Sequence, residues 1–125
     1  LVSLTDFNCE GNKLTVLDIT ENTELRSYVC QENFLTSIDV ANNVMITFLC
    51  CKHNKLTNLD ISKNVELNML ECNDNMFQVL DVSNNLKLSV LDSRESPQLT
   101  EIWLKEGQTI EEFNYDTGVA TIKYK

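Results

Sequence analysis

Very little in this chain can bend or break a backbone: 125 residues contain one proline and three glycines. There is no low-complexity tract, and 42% of residues are hydrophobic, so the composition excludes a disordered polypeptide. The length is that of one ordinary domain with room for a core. Histidine and tryptophan occur once each, as His53 and Trp103, which leaves little material for histidine-based chemistry. No run of 18 apolar residues exists, so no membrane insertion is expected of this segment. A signal peptide is also lacking, because the opening LVSLTDFNCEGNK turns polar within a few residues. Basic residues are scarce, with 10 Lys and Arg against 19 Asp and Glu; the net charge of −9 disfavours a nucleic acid partner. The five cysteines are an odd number and no two are spaced CxxC, which argues against a complete disulfide framework and a zinc ribbon.

What the chain does have is self-similarity. Cys9, Cys30, Cys51 and Cys72 are each 21 residues apart, and so are Asn12, Asn33, Asn54 and Asn75. The same step relates Leu17, Ile38, Leu59 and Leu80, the aspartates Asp18, Asp39, Asp60 and Asp81, and a second series Asn22, Asn43, Asn64 and Asn85. The unit reads LxxLxCxxNxLxxLDVxxNxx, with starts at Leu4, Leu25, Ile46, Leu67 and Leu88. Each unit nests two half-units of the form LxxLx(C/V)xxN. Alternation within LxLxC and LxLDV has a period of 2, so both halves predict short strands, and the closing asparagines suit tight turns. One coil cannot bury its apolar edge alone, whereas a stack of coils can. The expected architecture is therefore an all-β-rich solenoid, with parallel strands in two narrow sheets about 4.8 Å from strand to strand. The usual chirality of parallel connections makes it right-handed.

This pattern resembles the leucine-rich repeat family, and more narrowly the bacterial class with nested 21-residue periodicity called IRREKO. The resemblance covers residues 4 to about 104. The tail EIWLKEGQTIEEFNYDTGVATIKYK also resembles the closing segment of such proteins from Bacteroidetes. The resemblance implies a secreted or surface-anchored binding protein without enzymatic activity, and names no ligand.

The fifth unit departs from the pattern. Ser93 stands for cysteine, Ser96 for asparagine, Pro97 follows, and Leu99, Ile102 and Leu104 are offset by one residue. Pro97 is expected to break the sheet ladder. FNYDTGVATIKYK reads as a hairpin around Asp116, Thr117 and Gly118, capping the last open edge. The predicted organisation is thus one structural domain, with a solenoid over 1–104 of about five repeats and a cap hairpin over 105–125. At the other end Leu4 enters a repeat directly and leaves Leu4, Phe7, Leu14 and Leu17 as a bare edge. A fragment of a longer array, or association through that edge, is the expectation.

The stretch FLCCKHN, residues 48–54, looks most like chemistry, since Cys50, Cys51 and His53 are close in sequence. The repeat divides it. Cys51 belongs to the inward cysteine ladder and Asn54 to the turn ladder, while Phe48, Cys50 and His53 take outward or turn positions. Inward cysteines behave as small buried hydrophobes, and their Cβ atoms, about 4.8 Å apart and parallel, suit a disulfide poorly. The asparagines are expected to satisfy backbone groups of their own and adjacent coils. The aspartate ladder would repel itself unless compensated. Calcium is one candidate, but a row offers one carboxylate per level, and hydroxyls at Thr20, Ser62 and Ser83 are the other. No nucleophile elbow, phosphate loop or HExxH motif occurs, so no catalytic residue, metal ligand or cofactor is expected.

Recognition remains. The outward face of the first strands carries three varying columns, in which Val29, Phe48, Met69 and Val90 are apolar where the fold does not require it. In leucine-rich repeat proteins this face commonly binds ligand. The expected contact set is Val29, Phe48, Cys50, Met69, Glu71, Val90, Asp92 and, continuing the columns after the offset, Trp103, with Lys52 and Arg94 on the rim. The expected partner is a protein. Alternatives are a glycan held by Trp103 with Gln31, Glu71 and Asn73, or a spacer role in a longer array.

Overall fold

The structure, a computed structural model, describes residues 3–125, so residues 1 and 2 of the expected solenoid lie outside it. It is all-β: no helix forms among the described residues. Nine short strands follow one another as β1 (Asp6–Asn8), β2 (Ser27–Val29), β3 (Phe48–Cys50), β4 (Met69–Glu71), β5 (Val79–Asp81), β6 (Val90–Asp92), β7 (Glu101–Leu104), β8 (Glu112–Asn114) and β9 (Thr121–Tyr124). Every pairing is parallel. The order β1-β2-β3-β4-β6-β8 makes one six-stranded sheet and β5-β7-β9 a second of three strands. The chain is a β-solenoid of about six turns.

The repeat explains the register. Phe7, Tyr28, Leu49, Leu70, Leu91 and Phe113 lie opposite one another in successive coils. Their neighbours Cys30, Cys51 and Cys72, with Leu25, Ile46, Leu67 and Leu88, complete the inner side of each first half. Leu35, Leu56, Phe77, Ile61, Leu80 and Val82 close the core from the second half. Each such side chain, removed from water, contributes about 1.5–3 kcal/mol of transfer free energy. That burial exists only between coils, so the fold is held by stacking.

Asparagine joins the coils. Asn54 Nδ2 donates to the carbonyls of Cys30 (3.0 Å), Cys51 (3.2 Å) and Lys52 (3.3 Å), and its Oδ1 accepts the Leu35 amide (3.0 Å). Asn33 and Asn75 repeat this pattern one coil away in either direction. In the second series, Asn43, Asn64 and Asn85 each reach two carbonyls of the preceding coil, for instance Asn64 to Val40 (3.0 Å) and Asn43 (2.9 Å). The turn before each first-series asparagine, and before Ser96 that replaces the fifth, needs a left-handed backbone. It falls at Gly11, Glu32, His53, Asp74 and Glu95, with φ of 72, 58, 56, 55 and 59°. Only the first is a glycine, so each of the other four carries a conformational penalty of about 1–2 kcal/mol.

Three expectations are corrected. The second sheet is not continuous: strands appear in the second halves only from Val79 onward. Earlier second halves make few backbone bonds to the next coil, such as Phe34 N to Leu14 O (2.8 Å) and Met76 N to Leu56 O (2.8 Å). There the asparagine side chains do most of the joining.

The C-terminal hairpin does not form. β8 and β9 do not pair with each other; β8 adds in parallel to β6 and β9 in parallel to β7. Residues after Leu104 therefore form one more coil, whose spacing has drifted from 21. Val90 faces Glu112 and Glu101 faces Thr121, steps of 22 and 20. Substitute side chains do the asparagines' work. Gln108 Nε2 donates to Val82 O and Asn85 O, both at 3.1 Å, as Asn85 does to the coil before. Asp116 accepts the amides of Ser96 (3.0 Å) and Glu95 (3.3 Å).

Pro97 does not end the ladder. It takes the place in its coil that Phe34, Lys55 and Met76 hold in theirs, where an amide donates to the previous coil. Proline lacks that N–H, so one bond is missing, and pairing resumes with Thr100 N to Gln78 O (3.0 Å).

Candidate interaction face

The outward face of the six-stranded sheet carries three columns, one residue per coil. The first runs Asp6, Ser27, Phe48, Met69, Val90 and Glu112, in direct register. Its two ends are exposed and its apolar centre is half-buried. Thr47, Phe48, Asn68 and Met69 line a shallow depression there. The second column, Asn8, Val29, Cys50, Glu71, Asp92 and Asn114, lies beside it. Lys52 and Arg94 follow in the third, with Glu10, Gln31 and Asn73.

The second and third columns bind one another. Lys52 Nζ lies 3.6 Å from Glu71 Oε2. Arg94 grips Asp92 with two donors, Nε to Oδ1 at 2.9 Å and Nη2 to Oδ2 at 2.6 Å, and Asn73 Nδ2 adds a third bond to Oδ1 at 2.7 Å. The Arg94 hydrogen bonds hold the Asp92 carboxyl below the usual carboxylate range, against the opposing effect of its partial burial. Gln31 Nε2 donates to Glu10 Oε2 (2.7 Å). This polar strip is ordered by its own bonds, whereas the apolar column is half-buried and borders the open depression.

Two expected contact residues are placed differently. Cys50 is on the outer face, but it is only 3% exposed, and its thiol donates to Gln31 Oε1 at 3.1 Å. Neighbouring long side chains cover a short one, so a partner would not reach it. Trp103 belongs to the other sheet: it faces Asp81 in β5 and Lys123 in β9. The one-residue offset, which by spacing continues the first columns, places β7 in the second half instead. There the indole Nε1 donates to Glu101 Oε1 (3.0 Å), and Lys123 and Lys125 each sit 5.5 Å from the ring centre. Those lysines pair with Glu101 and Asp81. The sugar-binding combination of Trp103 with Gln31, Glu71 and Asn73 is therefore split between two sheets. Val29, Phe48, Lys52, Met69, Glu71, Val90, Asp92 and Arg94 remain together on one.

The cluster in FLCCKHN is divided as the repeat implies. Cys51 is fully buried in the thiol ladder, and all five cysteines are free. Burial pushes the Cys30 thiol up to about 12 and raises those of Cys50, Cys51 and Cys72, so no thiolate nucleophile is present at neutral pH. His53 Nδ1 lies 2.9 Å from Asp74 Oδ2 in the next turn. The aspartate ladder is compensated by hydroxyls. Asp18, Asp60 and Asp81 each accept an amide and a hydroxyl two residues on, from Thr20, Ser62 and Ser83, with O–O distances of 2.6, 2.7 and 2.6 Å. Among the described residues no three His, Cys, Asp or Glu side chains are grouped to hold a metal ion.

A second apolar column escaped the reading of strand faces. Val44, Val65 and Leu86 are 47, 50 and 60% exposed and stand 21 residues apart, just after the second-series asparagines. The spacing alone would have revealed it.

No protein-family model and no curated protein matches the chain. Among solved structures, the chain is similar to the functional domain of InlJ from Listeria monocytogenes, which is described as including a cysteine ladder. The two agree with a TM-score of 0.57 and 25% identity over 91% of this chain and 34% of that one. The present chain thus spans about a third of the length of that structure, and Cys9, Cys30, Cys51 and Cys72 make a thiol ladder of its own.

Proposed function

We propose that the protein is a non-catalytic recognition module that binds a protein partner through the outward face of its six-stranded sheet. One observation carries this: Phe48, Met69 and Val90 form an apolar column on a surface where the repeat imposes no residue type, beside an ordered polar strip. Clustered apolar surface with a charged rim is the composition of protein interfaces. Phe48, Met69 and Val90 are the central contacts. Val29, Lys52, Glu71, Asp92 and Arg94 surround them. The protonated thiols and the shallowness of the depression favour binding over catalysis.

The finer family placement, among bacterial 21-residue nested repeats like those of Bacteroidetes, rests on the sequence periodicity. An extracellular or cell-surface location rests on the same resemblance. A photo-crosslinking side chain at position 48 should capture protein partners from a mixture, and the same group at Val16 on the second half should not. Equal capture from both positions refutes the assignment of the face.

A further inference from the structure

In the first column of the six-stranded sheet the apolar residues are confined to three neighbouring coils. In the first column Phe48, Met69 and Val90 are flanked by Asp6 and Ser27 on one side and Glu112 on the other. The second apolar column, Val44, Val65 and Leu86, lies four residues earlier in the same three coils, and its counterpart in the coil before is Thr23. Neither series is required by the fold, since both point away from the core. The first column is therefore a footprint that runs along the solenoid axis, and the second marks the same three coils.

Spacing selects what fits such a footprint. Successive coils repeat every ~4.8 Å, so three coils cover about 9.6 Å between first and last side chains. A helix presents one face every ~5.4 Å, or about 10.8 Å over two turns. An extended strand presents one face every ~6.6 Å, or about 13.2 Å over two repeats. The helix misses the footprint by about 1 Å and the strand by nearly 4 Å, which is close to a full coil. Charge adds the ends. Asp6 and Glu112 terminate the first column, and among the described residues no basic side chain is paired with either. They are five coil steps apart, about 24 Å, the length of a helix of about 16 residues.

Resting on the protein-binding reading above, we propose that the partner element is an amphipathic α-helix laid along the solenoid axis over Phe48, Met69 and Val90. Its apolar residues recur once per turn, and it carries basic residues toward both ends, opposite Asp6 and Glu112. Val44, Val65 and Leu86 are exposed in the same three coils, four residues before each of these contacts. This is recognition of a helix by its apolar stripe, with the end charges fixing its register.

Two display libraries test it. One presents 16-residue helical peptides with randomised surface positions, and the other presents extended peptides of matched composition. Selection on the immobilised protein should enrich helical ligands with apolar residues at i, i+4 and i+7 (or i+3 and i+7) and Lys or Arg near both ends. Met69→Lys should weaken such a ligand about tenfold or more while leaving the melting temperature in place. The double variant Asp6→Asn, Glu112→Gln should weaken it less and flatten its salt dependence. Enrichment from the extended library alone, with ligands that still need Met69, overturns the helix and leaves the face. Ligands indifferent to Met69, or no enrichment from either library, overturn both.

Discussion

Replacing Asn54 with alanine isolates the device that joins the coils. The side chain is buried and makes four bonds: three donated to carbonyls in two coils and one accepted from the Leu35 amide at 3.0 Å. Leu35 is fully buried, so its N–H would be left without partner or water, at about 1–3 kcal/mol. The carbonyls of Cys30 and Cys51 each lose a neutral hydrogen bond, about 0.5–1.5 kcal/mol apiece. Freeing the ordered side chain returns part of this, up to about 1 kcal/mol. The net loss is about 3 kcal/mol. Asn12 supplies the control, because its amide reaches only Cys9 O (2.8 Å) and Glu10 O (3.3 Å) within its own coil. Asn12→Ala should lose about 1 kcal/mol or less. In urea, with a slope of about 2 kcal/mol/M, the midpoint should fall by about 1.5 M for Asn54→Ala and by about 0.5 M or less for Asn12→Ala. Circular dichroism reports the whole stack and Trp103 fluorescence the last coils, so agreement of the two tests for a single transition. Equal midpoints for the two variants would refute the claim that cross-coil amide bonds hold the solenoid.

The remaining predictions concern single groups. Tyr28 replaces leucine in an inward column, and its buried hydroxyl has no nitrogen or oxygen partner and only the weakly bonding Cys30 thiol beside it, so Tyr28→Phe should raise the melting temperature by about 3 °C while keeping the stack on Phe7; a lower value contradicts this. Gln108→Ala removes two bonds to the previous coil, so amide exchange should accelerate in residues 105–125 and hardly change before Val79; uniform acceleration would contradict a separate last coil. The buried thiols predict alkaline lability. Cys30, raised in the fold to about 12 from an ordinary 9.0, favours folding fully below the lower value, and that stability is lost as pH rises through the higher one. Urea midpoints should thus hold steady to about pH 8.5 and fall above about pH 9. A flat profile to pH 11 would mean the thiols are not excluded from solvent.

The legible features were those that recur. Cysteine, asparagine and aspartate columns are set by backbone geometry that repeats with each coil, so one sequence shows them four times over. The last coil was illegible because its parts are chemically equivalent but not identical. Gln108 reaches the carbonyls that asparagine reaches elsewhere, one methylene further out, and Asp116 accepts amides with a carboxylate. With the steps altered to 22 and 20, Asp116-Thr117-Gly118 reads locally as a hairpin turn. Parallel addition wins because β8 and β9 each satisfy an open strand edge of the stack, which pairing with each other would leave exposed. Trp103 departs from the expected sheet for a related reason, since a one-residue offset does not specify which half-repeat a strand joins.

Exposure on the outer face follows a different logic. An alternating pattern identifies which side of the sheet a residue occupies, but not how tall its neighbours are. Cys50 and Phe48 share a strand and a side, yet Cys50 is lost beneath Gln31 and its surroundings while Phe48 borders the open depression. The consequence is a separation of duties. Inward columns and asparagines hold the stack, the polar strip from Glu10 to Arg94 is fixed by its own bonds, and the apolar column owes nothing to either. Phe48, Met69 and Val90 can therefore change with little effect on folding. That freedom is what lets three coils out of six carry an apolar surface while the others remain polar at the same positions.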